Sequence, residues 1–327
     1  MQKVSKKIGI ALFLLALLAI VLWWWYLRPD PMEQPSLSGQ LLPGEMRYEG
    51  HRRQWLSYVP ASKPYAPPLL LVLHGSLGDG VQMREASRYG FDLIADREGI
   101  VVVYPDGYEQ HWNDCRASAD YAANTEQIDD VGFLKALVRR MIDEHGIDPE
   151  RVYVTGISNG GHMAFRLGME APEWVAGIAA VAANLPVFKN IDCSLSEQPV
   201  ATMIMNGTED PINPYEGGLV TLLGDSSRGE VQSALDSASY WAQRAGYQGA
   251  GTLKEVPRRK AYDYTAVERR DWWAPGKAPV SLVTIINGGH TLPHPDLNLP
   301  RVLGRTSHQM DGPEVIWQFF SLVEATP

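Results

Sequence analysis

Five short stretches share one pattern: "PLLLVLHG", "GIVVVYPDG", "RVYVTGISNGG", "VATMIMNG" and "VSLVTIINGG" each run through nearly uninterrupted apolar residues into a glycine. Apolar runs of this length, bounded by turn residues, read as strands buried on both faces, and such strands belong to sheets covered by helices on either side. The intervening segments supply the helices. In "DDVGFLKALVRRMIDEHG", Val131, Leu134, Leu137, Val138 and Met141 fall on one helical stripe with charges opposite. Further helices are expected near residues 231–245 and 313–323, and an early strand at "RQWLSYV". The predicted class is α/β, with a mostly parallel central sheet covered by helices on both faces. In such sheets ligands sit beyond the carboxyl ends of the strands, so the loops after those runs are where chemistry is sought.

One segment stands apart. Lys3, Lys6 and Lys7 precede "IGIALFLLALLAIVLWWWYL", residues 8–27, and Arg28 follows it. Twenty residues at 1.5 Å rise make a helix of about 30 Å, the thickness of a bilayer's hydrocarbon core. Where a signal peptide would carry small residues for cleavage, Trp23, Trp24, Trp25 and Tyr26 form an interfacial aromatic belt. The expected organisation is a cytoplasmic basic segment (1–7), a transmembrane signal-anchor (8–27), a proline-rich linker (28–44) and one catalytic domain (45–327). The basic N-terminus places that domain outside the inner membrane, periplasmic or extracellular.

Composition narrows the partners. Four of the 29 basic residues lie at or before Arg28, leaving 25 against 38 acidic ones, a net −13 for the exported part. That balance argues against nucleic acid and against an anionic membrane surface as partner of the domain. The bilayer is met through the N-terminal helix. The two cysteines, Cys115 and Cys193, lie on the oxidising side, where a disulfide is expected and two buried thiols are the alternative. No oligomeric state follows from the sequence.

Ser158 sits between Gly156 and Gly160, after the strand-like Val152–Thr155 run and before a helical pattern ending near Pro172. A strand running directly into a helix leaves room only for a sharp turn, and the glycines allow the crowding that such a turn brings. A serine needs a base, itself oriented by a third group. "NGTEDPINPY" places Asp210 at a strand end, with Glu209 as the fallback; "NGGHTLPHP" places His290 at another, with His294 further along between prolines. The order Ser158, Asp210, His290 accompanies a nucleophile elbow in α/β-hydrolases. For the oxyanion, amides of Ser76, after "LVLHG", and of Asn159 are the candidates. "HWNDCR" follows a strand, so Trp112 and Asn113 are expected to line the pocket. The histidine and cysteine spacings match no metal motif, and no cofactor is implied.

Taken in order, "LVLHG", "YPDG" with "WNDC", "DDVGF", "IDPERVYVTGISNGGHMA", "NGTEDPINPYEGG" and "GGHT" resemble the polyhydroxybutyrate depolymerase-like and feruloyl-esterase-like serine esterases of carbohydrate esterase family one, from about Leu69 onward. The resemblance implies an α/β-hydrolase fold, Ser158 as nucleophile, Asp210 and His290 as its partners, and Ser76 in the oxyanion hole. The chain departs from the family pattern in two places. Ser76 stands where many members have cysteine, and Leu292, Pro293 and His294 replace a tryptophan-proline-glycine bordering the substrate pocket. His74 and Leu292 are therefore expected in that pocket. The function implied is a serine carboxylesterase acting on a small or polymer-linked ester. An acyltransferase on a cell-envelope hydroxyl and a non-catalytic binding protein of the same fold are the alternatives.

Overall fold

The structure is a computed structural model that describes residues 2–324. Met1 of the basic segment, the side chains of residues 2–6 and 324, and residues 325–327 of the domain expected to end at 327 lie outside the described residues. A helix, α1 (Gln2–Leu27), comes first. Its stretch Lys7–Leu27 has a mean hydropathy of 2.5 and is exposed along its length; among the described residues it is the one helix long and apolar enough to cross a membrane. There follow β1 (Gln40–Tyr48), β2 (His51–Val59), β3 (Leu69–Leu73), α2 (Gly80–Ala86), α3 (Gly90–Glu98), β4 (Val101–Pro105), α4 (Ala122–Thr125), α5 (Asp130–His145), β5 (Val152–Ile157) and α6 (Asn159–Glu170). The second half holds β6 (Gly177–Val181), β7 (Ala201–Gly207), β8 (Gly218–Leu219), β9 (Glu230–Val231), α7 (Ala234–Arg244), β10 (Thr252–Val256), β11 (Ala266–Trp272), β12 (Val280–Ile286) and α8 (Gly312–Glu324).

Ten strands form one sheet in the order β1-β2-β4-β3-β5-β6-β7-β12-β11-β10. Its centre, from β4 to β12, is parallel. Both edges are antiparallel. The period of two along each strand divides the core. Leu69, Leu71 and Leu73 face one side, with Phe133 of α5, Phe165 of α6 and Trp241 of α7. Leu70 and Val72 face the other, with Phe91 and Ile94 of α3 and Ile316 and Phe320 of α8. Every one of these is buried, as uninterrupted apolar strands require.

The topology positions the site. From β3 the chain goes through α2 and α3 to β4 on one side, then returns through α5 to β5 on the other side of β3. The loops leaving β3 and β5 therefore diverge from neighbouring strand ends, which is where such a sheet opens a crevice.

The linker expected over 28–44 is corrected in two respects. First, β1 already begins at Gln40, pairing Pro43 with Leu56 and Gly44 with Trp55. Proline is tolerated on this edge strand, and the glycine is required because a side chain there would run into the Trp55 indole. Second, the stretch before it is docked: Asp30 bonds with Asn298, and the Ser38 amide donates to Asp96 Oδ2 at 2.7 Å. A proline-rich composition reads as a tether until the partners of its backbone are known, and here they lie on the domain.

Candidate active site

β5 ends at Ile157 and α6 begins at Asn159, so Ser158 alone makes the turn. It is held at φ 56° and ψ −119°, a conformation that a non-glycine residue adopts only under constraint. The constraint is visible around it. A Cβ on Gly156 would stand 2.4 Å from Gly160 backbone atoms, and one on Gly160 would stand 2.4 Å from the Leu73 carbonyl oxygen. The Ser158 amide donates to Val181 O at 2.8 Å, and its carbonyl accepts from the His162 amide at 2.9 Å. The turn thus has backbone partners on both sides.

The loop after β12 is pinned in the same way, its Gly289 and His290 amides donating to Arg305 O and Leu303 O at 2.9 and 2.6 Å. The His290 ring Nδ1 lies 2.7 Å from Asp210 Oδ2 in the loop after β7. Asp210 Oδ1 accepts from the amides of Ile212 and Asn213, each at 2.8 Å. A carboxylate accepting at Nδ1 puts the ring proton there and leaves Nε2 as the free base; the tautomer is assigned from this network. The other two candidates stand elsewhere. Glu209 is exposed and pairs with Arg305. The His294 ring accepts from the Asp296 and Leu297 amides.

Ser158 and His290 line one cavity of about 860 Å³, together with His74, Gly75 and Ser76 from the loop after β3. Asn159 opens α6, where first-turn amides have no helical acceptor and the helix favours negative charge. His74 is nearly closed off by its own bonds: its Nδ1 is 2.7 Å from Gly75 O, and its Nε2 accepts from the Gly107 amide at 2.8 Å. Burial drives its pKa down to about 4, against the raising effect of the Gly75 carbonyl. It is a neutral strut that shapes the loop.

Three expected pocket residues are corrected. Trp112 and Asn113 are buried and lie behind the site, outside the lining of the cavity. The Trp112 indole donates to His74 O at 3.0 Å, and the Asn113 side chain donates to Ile128 O at 3.0 Å. Their hydrogen-bonding groups are used within the protein, which is what a strut requires and a pocket wall does not. Leu292 is packed in the core against Gly312, whose missing side chain makes room for it. The walls that the sequence did not reveal include Leu77, Tyr89, Ile212 and Leu222. Arg88 and Tyr89 both take left-handed backbone angles, and nothing in "SRYG" announces it.

Beneath Ser158 lies a buried polar network. The Asn159 side-chain oxygen accepts from the Trp112 amide at 2.7 Å, and its nitrogen donates to Trp112 O at 3.0 Å and to Asp114. Asp114 is paired with Arg116 through Nε at 3.0 Å and Nη2 at 2.5 Å. Burial alone would raise the Asp114 carboxyl, but the Arg116 charge and hydrogen bonds hold it at about 2. His162 is buried beside this pair with its Nδ1 unpartnered, and burial with the nearby Arg116 charge keeps it neutral. Next to Asp114, Cys115 is bonded to Cys193, with Cα atoms 5.1 Å apart.

The strand order and the serine elbow at the carboxyl edge of the sheet define an α/β-hydrolase. Residues 55–213, just under half of the chain, match the family described as Esterase PHB depolymerase. NocK of Nocardia uniformis subsp. tsuyamanensis, provisionally named an esterase, is 28% identical over 86% of this chain and 83% of its own length. The poly(3-hydroxybutyrate) depolymerase of Ralstonia pickettii is 35% identical over 39% of this chain, and feruloyl esterase B of Piromyces equi 26% identical over 69%. The chain spans 28% and 40% of the length of those two relatives, well under half. Among solved structures, an acetyl xylan esterase from Aspergillus awamori superposes with a TM-score of 0.49 at 17% identity, covering 74% of this chain and 90% of that one.

Proposed function

We propose that this chain is an exported, membrane-anchored serine carboxylesterase. Ser158 Oγ attacks the ester carbonyl while His290 Nε2 takes its proton, and Asp210 holds the imidazolium that forms. The carbon–oxygen bond to the alcohol breaks as His290 returns that proton to the leaving oxygen. Water then adds to the acyl-enzyme, giving a proton to His290, and the bond to Ser158 Oγ breaks with reprotonation of the serine. The amides of Ser76 and Asn159 receive the negative oxygen in both halves.

The observation that carries this reading is the convergence on one cavity of a serine at a strained elbow and a histidine whose far nitrogen meets a buried carboxylate. A binding protein of this fold has no use for the strain at Ser158. Anchoring rests on the length and apolarity of α1 and its aromatic end, and the lysines before it support an exported domain. The substrate is a carboxylic ester, in line with the names of the relatives.

Ser158→Ala is expected to lower kcat/KM for p-nitrophenyl acetate by at least about a thousandfold, with an unchanged urea midpoint. A variant that keeps the wild-type rate overturns the nucleophile assignment.

A further inference from the structure

The cavity has a wall that the catalytic reading does not use. Trp24, from the last turn of α1, and the segment Arg28 to Met32 line it together with the loops carrying Ser76 and His290. This segment is held against the domain by specific bonds. The Asp30 amide donates to Asn298 O at 2.9 Å, and Asp30 Oδ2 accepts from the Asn298 amide and side chain, each at 2.8 Å. Arg88 clasps the pair, donating to Asp30 O at 2.9 Å and to Asn298 O at 2.8 Å. Burial alone would raise the Asp30 carboxyl, but the Asn298 bonds and the charges of Arg301 and Arg88 hold it below its usual value, so it stays ionised in this clamp. The helix end is fastened too: Arg301 donates to Trp25 O at 3.2 Å, and its guanidinium lies 4.3 Å from the centre of the Trp25 ring.

Two consequences follow from geometry. The aromatic end of a spanning helix sits at the headgroup level, so a cavity lined by Trp24 lies at that level as well. Its wall there is largely apolar, with Trp24, Pro31, Met32, Met83, Leu299 and Leu303 around it. At about 860 Å³ the space is near the top of the range for small-molecule sites, about 300–1,000 Å³, and far larger than a short acyl group needs. The segment just after α1 therefore lines the same cavity as Ser158.

We propose that the ester enters from the bilayer: an amphiphilic ester whose long hydrocarbon acyl chain leaves the membrane surface along the Trp24–Met32 wall and lies in the cavity with its carbonyl at Ser158. This rests on the reading of α1 as an anchor and of Ser158 as the nucleophile. Hydrolysis adds water across the ester carbon–oxygen bond, giving the alcohol and a carboxylic acid whose chain returns to the membrane.

The test uses the full chain in vesicles of ether-linked phosphatidylcholine, which offers no ester of its own. Two substrates are compared: 4-methylumbelliferyl palmitate in the bilayer and 4-methylumbelliferyl acetate in the water. The wild-type protein is expected to turn over the palmitate about tenfold faster than the acetate at equal total concentration. Asn298→Ala, which removes the side-chain bond to Asp30 Oδ2 from outside the cavity and leaves the backbone bonds of the clamp, is expected to cut the palmitate-to-acetate ratio about threefold through KM, with acetate turnover within about twofold of wild type. Arg301→Ala, a partly exposed position, provides the same test without touching the interior. Hydrolysis of acetate with the palmitate spared, or equal effects of both variants on both substrates, overturns the inference while leaving the esterase intact. Unaltered acetate hydrolysis by Ser158→Ala overturns the esterase reading and this one together.

Discussion

Asn159 does two unrelated things with one residue. Its backbone amide opens α6 beside Ser158, and its side chain stitches the Trp112–Asp114 segment to the elbow with all its bonding groups engaged. The first role is readable from sequence, because an elbow serine fixes where the next amide must be. The second is not, since its partners lie 47 and 45 residues away. The same distance explains why Trp112 and Asn113 read as pocket residues: a strand-end loop signals the neighbourhood of a site, but not which way a side chain turns. Asn159→Ala would strip the buried Trp112 amide and Asp114 of a partner each, at about 1–3 kcal/mol per unsatisfied group. The expected outcome is a loss of about 2–4 kcal/mol in urea-unfolding free energy with the secondary structure intact. A loss under about 0.5 kcal/mol would mean the network is not what holds the elbow.

At the scale of elements, the five glycine-ended apolar runs all became central parallel strands, and the helices at 231–245 and 313–323 formed within a few residues of expectation. Burial on both faces leaves a strong compositional mark. β1 leaves a weak one, because an exposed edge strand with Pro43 and Gly44 has neither continuous apolarity nor clean alternation. The antiparallel β10 and β11, polar on much of their surface, were hidden for the same reason. The Cys115–Cys193 bond reinforces a short backbone pairing between the stretch after β4 and the loop after β6, where Asp192 donates to Cys115 O and Ala117 to Asn190 O, each at 3.1 Å. It closes a loop of sequence separation 78, for which chain entropy gives about 4.5 kcal/mol at most. Replacing both cysteines by serine is expected to lower the unfolding free energy by about 2–4 kcal/mol. Because neither cysteine lines the cavity, kcat/KM on a short ester well below the transition should stay within about threefold. A collapse of activity at unchanged stability would contradict this division between scaffold and site.

The whole molecule should show a marked sensitivity to mild acid, and the wholly or partly buried histidines set its sign. His74, His111, His145, His162 and His294 all have their pKa values lowered, with burial the leading cause in each. A lowered histidine stays neutral in the fold while the unfolded chain takes up a proton near pH 6.5, so the unfolded state binds more protons and stability rises with pH through that window. Above about 6.5 the term vanishes. For His74, a fall from 6.5 to about 4 corresponds to about 3 kcal/mol, lost progressively as pH drops from about 6.5 to 4 and constant below. Asp114 acts lower down: held at about 2 in the fold, it stabilises the protein above its ordinary 3.8, and that contribution goes as pH falls from 3.8 to about 2. The buried Asp92 and Asp130 and the half-buried Asp106 have raised values and oppose the trend, since the fold then binds protons before the unfolded chain does. Their effect sets in above the ordinary carboxyl range and grows as pH falls towards it, so it subtracts from the histidine contribution. Urea unfolding at pH 7.5, 6.5 and 5.5 is therefore expected to show a steady fall in stability below 6.5. His74→Gln, which can keep a hydrogen bond but cannot take up a proton there, should flatten that fall by about 1 kcal/mol for each pH unit between 6 and 5. A wild-type curve flat from pH 7.5 to 5.5, or an unchanged slope in His74→Gln, would show that the proton balance of folding lies elsewhere.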